Sequence, residues 1–110
     1  MDITFAQRKM AKAANNDKTL SRELGPVRGK KLKQRLDQLS SATTLEDLRH
    51  APGRFHELVE NHKGKWSCDL DHPYRLIFKP HQQPIPTNAD GKYIWAEITG
   101  VEIVDVIDYH

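Results

Sequence analysis

Leucines at positions 32, 36 and 39 fall at i, i+4 and i+7, so the stretch after Gly25-Pro26 predicts a helix with one apolar stripe. Proline suits the first turn of such a helix. Arg28, Lys30, Lys31, Lys33 and Arg35 are expected on its remaining faces. Ahead of it, residues 2–5 (Asp-Ile-Thr-Phe) can begin as a short strand. Residues 6–14, rich in Ala, Lys, Gln and Met, favour helix. Asn15, Asn16 and Asp17 interrupt that run, and Asn16 or Asp17 can cap a further helical turn. Thr44 followed by Asp47 resembles a capping box opening a short helix near 45–50, closed by Pro52-Gly53.

The period then changes. Phe55 to Glu60 reads as a strand and Asn61 to Lys65 as a polar turn. Trp66 to Leu70 sets Trp66, Cys68 and Leu70 against Ser67 and Asp69, the alternation of a half-buried strand. Asp71-His72-Pro73 is turn chemistry, and Tyr74 to Phe78 follows as another strand. Pro80 to Gly91 holds three prolines besides its glycine and reads as a loop. Tyr93 to Ile98 and Val101 to Ile107 are β-rich, with Thr99-Gly100 as a bulge or turn between them. The expected fold is α+β: N-terminal helices packed on an antiparallel β-sheet. At 110 residues the chain fits one domain, spanning 1–110.

Composition narrows the function classes. The single cysteine, Cys68, cannot form a disulfide within the chain, which fits a reducing compartment. No apolar run approaches the roughly 20 residues of a membrane-spanning helix, and the first residues lack the apolar region of a signal peptide. A cytoplasmic protein is expected. The formal charge is only +2. It is uneven, with eleven Lys/Arg against six Asp/Glu in residues 1–50 and one Lys against five acids in residues 81–110. The basic half can attract a polyanion or an acidic partner, or form a solvated helical surface. The six histidines stand at no standard zinc spacing, so no metal site is expected. No glycine-rich phosphate loop occurs. Cys68, on a half-buried strand, suits a core better than a nucleophile.

Several segments together carry a resemblance. They are Ser41-Ala42-Thr43-Thr44-Leu45-Glu46-Asp47-Leu48, Pro52-Gly53-Arg54-Phe55-His56-Glu57-Leu58, Gly64-Lys65-Trp66-Ser67, Tyr74-Arg75-Leu76-Ile77-Phe78 and the final Asp108-Tyr109-His110. From about residue 28 to the end the chain resembles the HigB-type toxins of the RelE superfamily, also called proteic killer or host-inhibition-of-growth proteins. Pro80 to Tyr93 is longer and richer in proline than the tight hairpin common in that family.

The resemblance implies a type II toxin that cuts messenger RNA in the ribosomal A site without a metal or other cofactor. It also implies a neighbouring helix-turn-helix antitoxin (HigA-like) as partner, besides ribosome and mRNA, and no membrane. Metal-free cleavage uses the 2′-OH as nucleophile and leaves a 2′,3′-cyclic phosphate. It needs a base, a charge on the phosphate and an acid for the leaving oxygen. Imidazole suits proton transfer and guanidinium suits phosphate.

The family's catalytic set then maps onto His56, Arg75, Asp108, Tyr109 and His110. His56 would move a proton and Arg75 would grip the scissile phosphate. Tyr109 would stack on a base or donate to phosphate, while Asp108 would orient His110 or His56. Arg54, Lys63 and Lys65 are candidates for RNA contact. Blander readings stand beside these: His56 bonded to a loop carbonyl, Arg75 in a cross-strand pair with Asp69 or Asp71, a frayed C-terminus, and the lysines in an ordinary turn. Two other functions fit the same fold, a toxin relative that poisons a protein target without RNase activity and an antitoxin-bound repressor component.

Overall fold

Residues 26–41 form the helix that the leucine spacing asks for. The computed structural model describes residues 1–58 and 64–108. Strand β1 (Asp2–Phe5) leads into helices α1 (Arg8–Ala14), α2 (Asp17–Leu24) and α3 (Pro26–Ser41). Asn16 caps α2, its side chain accepting from the backbone N–H of Lys18 at 2.9 Å and of Thr19 at 3.2 Å. Gly25, at φ +87°, reverses the chain between α2 and α3. The Thr44/Asp47 capping box is present and opens the expected short helix, which is of the 3-10 kind and spans Leu45–Leu48.

The remaining strands are β2 (His56–Glu57), β3 (Trp66–Asp69), β4 (Tyr74–Pro80) and β5 (Gly100–Asp108). The sheet order is β1-β5-β4-β3-β2. β2 to β5 pair antiparallel, as expected of a meander. β1 differs: it lies parallel to β5, with Ile3 opposite Val101 and Phe5 opposite Ile103. Three helices and the β2–β4 meander lie between β1 and β5, so the long connection that a parallel neighbour requires is present. The fold is therefore α+β with a mixed sheet.

Three strand boundaries differ from the sequence reading. The strand expected over 55–60 is paired only at His56 and Glu57 among its described residues. Gly100 is the first residue of β5 rather than part of a bulge, and the register irregularity falls instead at Ile77/Phe78. Residues 93–98, expected to be a strand, make a 3-10 turn, Trp95–Glu97, and only Tyr93 forms a bridge, to Thr87. The place beside β4 is taken by β5, so these apolar residues serve as anchors. Tyr93 packs on Trp66 with ring centroids 5.3 Å apart, and Trp95 meets the same indole edge-on at 6.0 Å. The 80–93 segment thus packs back on the core through Ile85 and Tyr93.

One hydrophobic cluster joins Leu20 of α2, Leu32 and Leu39 of α3, Leu45 and Leu48 of the 3-10 turn, and alternate residues of the sheet. Those alternates are Trp66 and Cys68, Leu76 and Phe78, and Val101 and Ile103, all fully buried. The intervening residues, Ser67 and Asp69 on β3, Arg75 and Ile77 on β4, and Asp105 and Ile107 on β5, occupy the opposite face.

Candidate active site

The face turned away from the core gathers polar groups at one end of the sheet. His56 pairs with Ser67 across β2 and β3, and Arg75 pairs with Asp69 across β3 and β4. The register therefore sets His56 and Arg75 on the same face, one pleat apart along β3. The imidazole is held on both sides. Its Nδ1 lies 2.7 Å from the carbonyl oxygen of Arg54. A carbonyl only accepts, so Nδ1 carries a proton, and the tautomer this selects places the lone pair of a neutral ring at Nε2. Ser67 Oγ stands 3.4 Å from that nitrogen, placed to donate to it. The bond to a loop carbonyl is thus real, and it fixes the tautomer without using Nε2.

Arg54 aims its carbonyl by adopting φ +54°, a left-handed conformation uncommon for a residue with a side chain. Gly53 before it sits at φ +110°. The dihedral favours glycine, and a Cβ there would come within 2.8 Å of the Arg35 guanidinium and displace it. Arg35 Nε donates to the backbone carbonyl of Asp69 at 2.6 Å, and Arg35 Nη1 to Gln38 Oε1 at 2.9 Å. Gln38 in turn donates to the Pro52 carbonyl at 2.8 Å. Two side chains of α3 thereby secure the turn that carries Arg54 and His56.

Asp69 organises the cations. Its Oδ1 lies 3.4 Å from Arg75 Nε and its Oδ2 lies 3.7 Å from Arg54 Nη1. Arg75 makes the cross-strand pair expected of a structural residue, yet its side chain keeps 22% of its surface open. A carboxylate that orients an arginine and an arginine that meets a phosphate are compatible.

The other candidates fall as follows. Lys65 immediately precedes β3, and its carbonyl accepts from Leu58 N at 2.9 Å. Asp108, the last residue of β5, pairs with Tyr74, so the alternation sets it in the row opposite to that of His56 and Arg75. Lys63, Tyr109 and His110 lie outside the described residues. Cys68 belongs to the core, where burial pushes its thiol up to about 12.

Arg28 and Arg35 are the residues that sequence reading misplaced. Both were expected on solvated faces of the helix. Instead Arg28 makes two 3.1 Å bonds to the Asp71 carboxylate and lies 3.5 Å over the Tyr74 ring. A signal existed: positions 28, 32, 35 and 39 form one heptad stripe, so both arginines share the face of Leu32 and Leu39. Glu57 was also overlooked. Its Oε1 accepts the indole N–H of Trp95 at 3.0 Å, which ties the two-residue strand β2 to the core side.

A small α+β domain with helices on one face of its sheet and an imidazole, two guanidiniums and a carboxylate on the other defines the class. A model of the HigB-like toxins, described as RelE-like toxins of type II toxin-antitoxin systems, matches residues 3–89, and the chain belongs to this family. No curated protein and no solved structure matches it. The matched span begins well before residue 28, where the resemblance was expected to start. It includes Arg54, His56 and Arg75 and ends ahead of β5. Membership implies a cognate antitoxin. No helix among the described residues is long and apolar enough to cross a membrane.

Proposed function

We propose that this toxin is a ribosome-dependent endoribonuclease of the cytoplasm that cuts messenger RNA in the A site, with His56 and Arg75 at its centre. The observation that supports this most is their common face, with the His56 tautomer set so that a neutral ring carries its lone pair at Nε2. Toxins of this family are generally endoribonucleases, and a helix-turn-helix antitoxin of the HigA type is the expected inhibitor.

In the reaction, Nε2 takes the proton of a ribose 2′-OH, and the 2′-oxygen attacks the adjacent phosphorus. Arg75 meets the charge that builds on the phosphate oxygens. The P–O5′ bond then breaks, an acid protonates the leaving 5′-oxygen, and a 2′,3′-cyclic phosphate remains. His110 is the candidate acid, and Tyr109 is a candidate to stack on a base or donate to the phosphate. Asp108 is the candidate to orient the terminal imidazole, since its row is not that of His56. Arg54, Lys63 and Lys65 are candidates for RNA contact.

Expression of the wild-type toxin should arrest growth, and translating ribosomes should yield cleaved message. Replacing His56 with Gln or Arg75 with Gln should each slow cleavage about 100-fold or more, as removal of one transition-state donor commonly does. Deleting His110 should relieve arrest as well. Growth arrest that persists through all three changes would instead identify a poison of a protein target.

A further inference from the structure

At the end of the β3–β4 hairpin, beyond Arg75, a cleft of about 140 Å³ opens between the turn at Arg54 and the turn at His72 and Pro73. Its walls include Arg54, Asp69, His72, Pro73, Tyr74 and Arg75. Two guanidiniums face one carboxylate there, so the lining is net positive before His72 is counted. Asp69 meets Arg75 with one oxygen and Arg54 with the other, at 3.4 and 3.7 Å, which stations the two arginines side by side. The Arg54 contact is longer than a hydrogen bond, and that side chain keeps 68% of its surface open. A guanidinium has five N–H donors in a fixed fork, most of which this single long contact leaves for a ligand. Arg54 is also held in a left-handed conformation that glycine or asparagine would adopt more readily. Strain of that kind is a recurrent mark of functional positions.

We propose that this cleft is a second phosphate subsite, in which Arg54 and His72 hold the phosphate next to the one met by Arg75 on a single RNA strand. The assignment rests on the RNA-cleaving reading and extends it. It makes the protein recognise at least two consecutive phosphates of single-stranded RNA, with His72 as a ligand. A shared carboxylate sets the spacing of the two cationic sites. Phosphate contacts of this sort fix the register of a strand without reading its sequence.

The test is the affinity of the intact protein for two fully 2′-O-methylated RNAs, a dinucleotide with one phosphate and a trinucleotide with two. Neither can be cleaved. The wild-type protein should bind the trinucleotide about tenfold more tightly, the gain expected of an added charge-assisted contact. Arg54→Gln and His72→Gln should each remove most of that gain while changing dinucleotide affinity less than about twofold. Arg54→Gln should also lower the slope of log affinity against log salt by about 0.7. Arg75→Gln should weaken both ligands, and Lys92→Gln, in the distant 80–93 segment, should weaken neither. The subsite is refuted if the wild type gains nothing from the second phosphate, or if both cleft variants keep the gain. Cleavage by the same variants on translating ribosomes separates the two readings. A length-dependent gain without any cleavage leaves an RNA-binding cleft and removes the nuclease, whereas cleavage without the gain removes only the cleft. Both side chains are exposed, so unchanged melting temperatures should accompany either substitution.

Discussion

The two faces of the β3–β4 pair differ by a single residue step and by almost everything else. Towards the helices stand Trp66, Cys68, Leu76 and Phe78, all fully buried. On the other face stand Ser67, Asp69, Arg75 and Ile77, two of them charged. The first set fills space and the second presents chemistry. Ser67 shows that exposure alone does not separate them, since it is as buried as its core neighbours yet contacts Nε2 of His56. Period-two alternation lets one short strand serve stability and reactivity without compromise between them. The faces are not independent, however. Arg35 and Gln38 reach from α3 to the turn that carries Arg54, and Trp95 holds Glu57, the residue after His56.

The contrast breaks most sharply at Phe78. Its ring is fully buried and packs against Phe55 at a centroid distance of 6.3 Å. Phe78→Ala should cost about 3–5 kcal/mol in urea unfolding, as large-to-small core changes do. Arg75→Gln, three residues earlier in β4, should cost clearly less stability than Phe78→Ala while slowing cleavage about 100-fold or more. Equal destabilisation by the two would dissolve the distinction.

Gly53→Ala probes the link from helix to site. It strains a φ of +110° and drives a methyl into the Arg35 guanidinium. A loss of about 2 kcal/mol is expected by thermal melting, within the range of such backbone strain. Cleavage should fall by more than stability predicts, because Arg54 and His56 follow in the same turn. Trp95→Phe is gentler. It keeps an aromatic ring and removes the N–H donated to Glu57, at about 1–2 kcal/mol for a half-buried charge-assisted bond. Loosening of β2 should appear as faster amide exchange around His56, and unchanged exchange there would show that β2 needs no such tie.

The smallest effect belongs to a helix pair remote from both faces. Lys33 donates to Asp17, and this bond, followed by the charge of Asp17, raises the Lys33 pKa above its ordinary value of 10.5. A raised folded-state value means that any stabilisation is fully present below 10.5 and fades as pH climbs through the raised value. Lys33→Gln should leave the melting temperature at pH 7 unchanged within error, because both groups are solvated.

Sequence alone determined the local order of this protein. The leucine stripe of α3, the Asn16 cap, the Thr44/Asp47 box and the alternation of β3 and β4 are legible because neighbouring residues settle them. His56 and Arg75 were visible as candidates through the family's motif, and their common face followed only once the strands were registered. Tertiary structure decided what depends on distant partners: the parallel seat of β1, the 3-10 turn at Trp95 where a strand was expected, and the inward reach of Arg28 and Arg35. Periodicity assigns a side chain to a face, but which face meets carboxylate, carbonyl or solvent is set by elements remote in the chain. The row of Asp108 is of the same kind, since a register irregularity at Ile77/Phe78 governs every pairing beyond it.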